Sequence, residues 1–309
     1  MSQLFLIIVF CAFSIESFAQ DDKRLLEGRW DIVITKDGKE VPSWLEIKHS
    51  GNHALIGRFV GPSGSARPIS EVKLNEGKFS FSIPPQWEKG NTNLEFEGQR
   101  EGDNLKGTML FTDGKTYSWV ASRAPALQHN MNPKWEKPIR LFNGKDLMGW
   151  HATGENQWLV EEGILKNPKP VSNLMTDNKF MDFKLHIEFR CPKGGNSGVY
   201  LRGRYELQIT DNKGMEPSDI FFGGIYGFLE PNQMAAKSAG EWQSYDVTLV
   251  GRRVTIVANG IAIITDQIIP GITGGALDSK EGEPGPIMLQ GDHEPIEFRN
   301  IILTPAVSK

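Results

Sequence analysis

The chain has almost no cysteine. Of its 309 residues only 2 are Cys, at positions 11 and 191. Cys11 sits in the leading apolar run, so removal of that run leaves Cys191 alone and excludes an internal disulfide. The fold must then rest on its hydrophobic cores, even in a compartment where disulfides persist. Long apolar runs are lacking too. Leu4–Phe13 spans about ten residues, the length of a signal-peptide core and too short for a bilayer. Ser17, Phe18 and Ala19 place small residues near a cleavage site, which predicts removal of residues 1–19 after Ala19. No Lys or Arg precedes the run, and a retained anchor is the alternative. The reading implies export to the periplasm or beyond, with no membrane attachment once the leader is gone. Charge of one sign is scarce as well. A formal net charge of −4 makes no electrostatic case for binding nucleic acid. Long amphipathic helices, internal repeats and low-complexity tracts are absent from the pattern.

What is present is turn chemistry between short apolar runs. The chain carries 33 Gly and 18 Pro beside 8 Trp and 17 Phe, a mixture that suits strands joined by many turns. Residues 20–122 read as all-β. Runs such as "RWDIVI", "KFSFSI" and "TYSWVAS" alternate roughly, and "KDGK", "NEGK" and "TDGK" separate them. Seven or so strands at this spacing predict a small antiparallel barrel or sandwich. Gly28-Arg29-Trp30 resembles the opening of lipocalin-like barrels, although a Trp plugging a barrel end accounts for it equally well. Residues 123–138, with three Pro and no periodicity, read as a linker. "IPPQWEKG" around Trp87 is a candidate binding loop.

From residue 139 to 309 the pattern is β again. "FKLHIEFR" alternates strictly, with Phe183, Leu185, Ile187 and Phe189 on one face and Lys184, His186, Glu188 and Arg190 on the other. One hairpin, "GGNSGVYLRGRYELQITD" (194–211), is too polar for a strand pair that only fills a core. Alternation puts Gly198, Tyr200 and Arg202 on one face, with Glu206, Gln208 and Thr210 beside them. A two-residue turn at Gly203–Arg204 would let Arg202 and Glu206 pair across the strands. The polar set fits a sugar-binding floor; a solvated face with a surface ion pair is the alternative. A second polar group, "LQGDHEPIEFRN", holds Gln290, Asp292 and His293, then Glu297 and Arg299 on the last strand. A His beside a carboxylate can serve as a base or a metal ligand.

"LFNGKDLMGWH", "EFRCPKGGNSGVYLRGRYELQITD", "GEWQSYDVTLVGRRVTIVANG" and "GPIMLQGDHEPIEFRNIIL" together resemble the 3-keto-disaccharide hydrolase domain family, from about Pro138 to Pro305. The resemblance implies a concanavalin-like jelly-roll sandwich related to glucanases. It also implies an exported enzyme acting on oligosaccharides or glycosides already oxidised at C3. Retaining glucanases of that fold place paired carboxyls on one strand, and retention needs them about 5 Å apart. Here the positions after Glu206 on its face are Gln208 and Thr210, which disfavours ordinary double displacement. A 3-keto group instead acidifies the C2 hydrogen and opens an elimination–hydration route that needs one base and one acid.

On that basis Glu206 is expected as base or metal ligand and His293 as its acid/base partner. Arg202 is expected to stabilise the oxyanion or hold substrate. Asn196, Gln208 and Gln290 are candidate hydroxyl binders. Glu188, Arg190 and Arg299 are candidates to extend the site, and Tyr200 and Trp242 to stack on a ring. The residues name no definite cofactor; a divalent ion held by Glu206, Asp211 or His293 is an option. A carbohydrate-binding lectin-like protein and an ordinary glucanase are the competing readings.

Overall fold

The computed structural model describes residues 24–307. The expected leader, its cleavage after Ala19 and Cys11 lie outside the described residues. Two compact units emerge, one holding the residues up to Phe59 together with Arg67–Ala124, the other holding Val60–Ala66 and the residues from Pro125 onward. Among the described residues no helix is long and apolar enough to cross a membrane.

The first unit is a single antiparallel sheet of β1 (Gly28–Lys36), β2 (Lys39–Ser50), β3 (Ala54–Val60), β4 (Arg67–Ile69), β5 (Lys73–Asn75), β6 (Lys78–Ile83), β7 (Leu94–Glu101), β8 (Asn104–Leu110) and β9 (Thr116–Arg123). Its order, β4-β3-β2-β1-β9-β8-β7-β6-β5, joins the first strand to the last and leaves β4 and β5 as edges. This is an up-and-down barrel left open along one seam. Alternation explains the packing: along β7, Leu94 and Phe96 point inward while Glu95 and Glu97 face water. Phe59, Phe81 and Phe96 meet with ring centroids 4.6 and 4.5 Å apart about Phe96. Trp30 is fully buried and its indole N–H donates to Leu26 O at 2.9 Å, so it fills one end of the core.

The second unit is a two-sheet sandwich. Its strands are β10 (Ile139–Arg140), β11 (Trp150–Ala152), β12 (Leu159–Glu161), β13 (Ile164–Asn167), β14 (Leu174–Thr176), β15 (Phe183–Arg190), β16 (Asn196–Leu201), β17 (Tyr205–Thr210), β18 (Gln243–Val250), β19 (Arg253–Ala258), β20 (Ile261–Ile268), β21 (Met288–Leu289) and β22 (Ile296–Pro305). One sheet runs β12-β13-β22-β15-β18-β19-β20 with β10 beside β22; the other runs β11-β14-β21-β16-β17. The apolar faces meet between them. Phe183, Leu185, Ile187 and Phe189 of β15 are all buried, as are Val199, Leu201, Leu207 and Ile209 of the smaller sheet. Tyr245 on β18 packs its ring 4.7 Å from Phe189 and donates its hydroxyl to Gln208 O at 2.6 Å, tying the two sheets together. Cys191 is buried and unpaired, and burial pushes its thiol up to about 11, so it packs as a small hydrophobe.

The Pro-rich stretch 123–138 is anchored to this sandwich in its later part. Glu136 N donates to Pro305 O and Val307 N to Lys134 O, and His129 contacts Asp182 at 2.7 Å. Lack of periodicity marked it as irregular backbone; it did not mark it as detached, because single hydrogen bonds to a sheet edge need no period.

Candidate functional site

The polar hairpin is β16–β17, and its register differs from the expected one. Tyr200 lies opposite Glu206 and Leu201 opposite Tyr205. The turn therefore holds three residues, Arg202, Gly203 and Arg204, with Arg202 and Gly203 both at positive φ (55° and 67°). The extra residue rotates Arg202 out of the strand alternation, because side-chain direction depends on register. Its guanidinium is fully buried elsewhere. It donates to Tyr205 Oη at 2.8 Å and Gly251 O at 2.9 Å. Tyr205 Oη donates to Glu281, which Arg252 holds at 2.5 Å. Arg202 thus belongs to a buried ion network with Glu281, and the expected Arg202–Glu206 pair does not form.

Glu206 instead faces Gly198 and Tyr200 of β16 and Gln290, which extends β21 by donating its backbone N–H to Gly198 O at 2.9 Å. The carboxyl occupies the space that a side chain at Gly198 would fill. A Cβ there would sit 2.7 Å from Glu206 Oε1 and 2.9 Å from its Cγ. Gly198 does not have a positive φ, so glycine is needed at this position for room and not for backbone conformation. Tyr200 and Gln290 both hydrogen-bond the carboxyl. Tyr200 Oη also lies 3.1 Å from Gly274 O. With one proton to give, the phenol can serve the carbonyl or the carboxylate, according to whether Glu206 is protonated.

Burial dominates the electrostatics. Glu206 is 4% exposed, and desolvation pushes its pKa up to about 8. The Asp292 charge pushes the same way, while the Tyr200 and Gln290 hydrogen bonds and the His293 charge pull it back. His293 accordingly lies near enough to act on Glu206. Its Nδ1 is 2.7 Å from Asp292 Oδ1, and this hydrogen bond raises the imidazole above its ordinary range, with Glu206 and Glu294 adding to the effect. The same bond lowers Asp292. A buried carboxyl whose pKa is raised to about 8, beside a half-exposed His–Asp pair, has the make-up of an acid/base centre.

Two acceptors in this region lack partners among the described residues. Gln208 donates to Asn196 Oδ1 at 3.1 Å, which leaves its own Oε1 buried and unpaired. Gln290 Oε1 is in the same condition. Buried carbonyl oxygens without donors are costly, and hydroxyl groups of a ligand would satisfy both. Tyr226 also belongs here. Its N–H donates to Glu206 O at 3.0 Å and its phenol acts electrostatically on Tyr200. Nothing in "GGIYGF" marked it, since it sits in an irregular segment without period.

Glu188, Arg190 and Arg299 are elsewhere. They lie on β15 and β22, in the larger sheet, so they cannot extend the face that carries Glu206. Arg299 Nε bonds Glu188 at 2.5 Å, and Arg190 pairs with Glu297. Trp242 lies between the two guanidiniums, 4.0 Å from Arg299 and 4.8 Å from Arg190, and so stacks on arginines. Asp211 accepts the backbone N–H of Gly194 at 3.1 Å and shapes the loop before β16. Among the described residues no three His, Cys, Asp or Glu side chains come together in a way that could hold a metal ion.

Residues 137–304, more than half of the chain, match the family described as the 3-keto-alpha-glucoside-1,2-lyase-like domain. A 3-keto-disaccharide hydrolase of Bacteroides thetaiotaomicron is 29% identical over 121 residues, which cover 35% of this chain and 37% of that protein. The match thus spans little more than a third of the curated relative. A crystal structure of a candidate glycosyl hydrolase from Parabacteroides distasonis is 32% identical over 54% of this chain and 82% of its own, with a TM-score of 0.49. A second from the same organism is 25% identical over 54% of this chain and 98% of its own, with a TM-score of 0.43.

Proposed function

The chain belongs to the 3-keto-alpha-glucoside-1,2-lyase-like domain family, and from that premise we propose that it is an exported enzyme that cleaves glycosides already oxidised to a ketone at C3. The observation that supports this most is the buried carboxyl of Glu206. Glu206 is raised to about 8 and sits beside His293, and the next residue on its own strand face is Gln208. Double displacement calls for a second enzyme carboxyl about 5 Å from the first, and Asp292 is already engaged with His293.

In the proposed reaction the Glu206 carboxylate removes the proton from C2, which the C3 ketone makes acidic. The electron pair moves onto the ketone as an enolate. It returns to form the C1–C2 double bond as the C1 substituent departs, and His293 supplies the proton that the leaving oxygen needs. Water adding across the resulting enone at C1, with a proton returned to C2, completes hydrolysis; release of the enone itself is the lyase outcome. Tyr200 is the hydroxyl beside Glu206 and takes the oxyanion role that Arg202 cannot fill. Gln208 and Gln290 accept hydrogen bonds from substrate hydroxyls through their unpaired oxygens. No step is routed through a metal.

Incubation with a 3-keto-disaccharide and with its unoxidised parent tests the reading. Cleavage of the keto sugar alone is expected. Cleavage of the parent sugar would make the protein an ordinary glycosidase, and tight binding without turnover would make it a lectin-like module. N-terminal sequencing of the protein recovered outside the cytoplasm tests export; an intact Met1 would refute leader removal.

A further inference from the structure

Val60–Ala66 starts at the last residue of β3 yet belongs to the second unit. It lies outside residues 137–304, the portion matched by the family. Its contacts fall on the two backbone strips that flank Glu206. On one side Pro62 O accepts the N–H of Gly275 at 2.9 Å. The neighbouring Gly274 lies so close to the segment that an added Cβ would come 2.2 Å from Gly64 O and 2.7 Å from Gly64 N. On the other side an added Cβ at Gly227 would come 2.6 Å from both Ala66 N and Ser65 Cβ.

Each strip then bonds the candidate base or its partner. Thr273 Oγ1 accepts the backbone N–H of Glu206 at 2.9 Å, and Gly274 O accepts the Tyr200 hydroxyl at 3.1 Å. Tyr226, next to Gly227, donates its N–H to Glu206 O at 3.0 Å. The segment is thereby one contact removed from both backbone groups of Glu206 and from the phenol that bonds its carboxyl. Close backbone packing of this kind transmits small displacements, since a packed contact has no slack.

We propose that Val60–Ala66 is a positioning clamp for the Glu206 site: it presses the Thr273–Gly275 and Tyr226–Gly227 strips onto β17 and so sets the placement of Glu206 and Tyr200. This rests on the reading of Glu206 as the base. The clamp contributes no reacting group; it acts through the residues it holds. Because it comes from outside the matched domain, the geometry of the centre depends on a part of the chain that the domain alone does not supply.

Gly274→Ala tests the clamp. That position has no positive φ, and the nearest atoms to an added methyl are backbone atoms of Ser63 and Gly64. The methyl should therefore push the segment away without straining Gly274 itself. A loss of about 100-fold in kcat is expected, the scale for a misplacement of about 1 Å at a reacting centre, with a smaller change in KM. Water admitted beside Glu206 should also move its titration down, toward the ordinary value of 4.5. The groups acting on that carboxyl, Tyr200, Asp292 and His293, are unaltered in this variant. The titration is followed by carbon-13 NMR of labelled Glu, with Glu206→Gln identifying the signal. A second variant replaces Pro62–Ser65 by four glycines and keeps the chain length. Unchanged kcat and an unchanged Glu206 titration in either folded variant would overturn the clamp. If the wild-type enzyme fails to cleave 3-keto-glycosides, the functional reading falls, and the NMR titration still decides whether the segment holds Glu206 in place.

Discussion

The two sheets of the sandwich carry similar residues on their polar faces and put them to opposite use. The larger sheet displays His186, Glu188 and Arg190 on β15, with Glu297 and Arg299 on β22. The smaller displays Tyr200, Glu206, Gln208 and Gln290. In the first set each carboxylate meets an arginine and stays near water. Glu188 has a side chain 21% exposed, bonds Arg299 and Asn300, and its pKa is lowered by them despite partial desolvation. In the second set Glu206 is buried, meets no cation at bonding distance among the described residues, and is pushed up to about 8. The difference shows that residue type does not make a reactive carboxyl. Cover without a compensating charge does.

The strongest way to break this comparison is to neutralise each glutamate in turn. Glu206→Gln should lower kcat on a 3-keto-glucoside by about 10³-fold, within the range for a general base. Glu188→Gln should leave turnover within about twofold, since its partners are arginines on an exposed face. Equal losses in the two variants would remove the distinction, and full turnover in Glu206→Gln would end the assignment of the base.

Next in size is Gly198→Ala. The added methyl claims the space of the Glu206 carboxyl, so kcat should fall by about 100-fold while circular dichroism stays that of the wild type. A fully active variant would mean that the carboxyl works from another position.

Stability separates the faces in sign. The fold keeps a proton on Glu206 up to about pH 8, whereas the unfolded chain loses it above its ordinary value of 4.5. Between these values the folded state binds more protons, so stability attributable to this group is present below pH 4.5 and is lost as pH rises toward 8. Glu206→Gln should therefore gain thermal stability relative to wild type at pH 9 and gain little at pH 5, with a difference of about 2 kcal/mol or more. Scanning calorimetry at the two pH values reads it. Glu188 has the opposite sign: its lowered pKa makes its ion pair stabilising at neutral pH and lost on acidification. The exposed pair is worth about 0.5 kcal/mol, so Arg299→Ala should cost little at pH 7.

The finest test is the pH profile. With Glu206 as base, kcat/KM should rise with pH through about 8. His293→Asn removes a charge that pulls the carboxyl down and frees Asp292, which pushes it up. The rising limb should then move to higher pH. A profile that falls through this range would make Glu206 the acid and reverse the two roles.

Part of this was legible in order along the chain. Alternation in "FKLHIEFR" placed Phe183 to Phe189 inward, and the structure has all four apolar residues buried. The hairpin 194–211 stood out because it carried Glu206 and Gln208 where a core strand needs neither. Arg202 departs from expectation because the turn holds three residues, which takes Arg202 out of the strand alternation while Glu206 and Gln208 keep the face of Tyr200 and Gly198. Glu188, Arg190 and Arg299 were grouped with Glu206 because a period of two names a face but not the sheet that owns it. Tyr226 and Val60–Ala66 left no trace, since irregular backbone has no period to read.

The sequence by itself determined the all-β architecture, the inward faces and the short span in which the polar hairpin lies. These follow from local alternation and turn chemistry, which act between near neighbours. Only the tertiary structure decided which polar face becomes a site. That choice rests on desolvation, and desolvation is a sum over atoms brought together from distant segments: Gly198 leaving room, Gln290 and His293 arriving after β21, and the strips at 226–227 and 273–275 closing over β17.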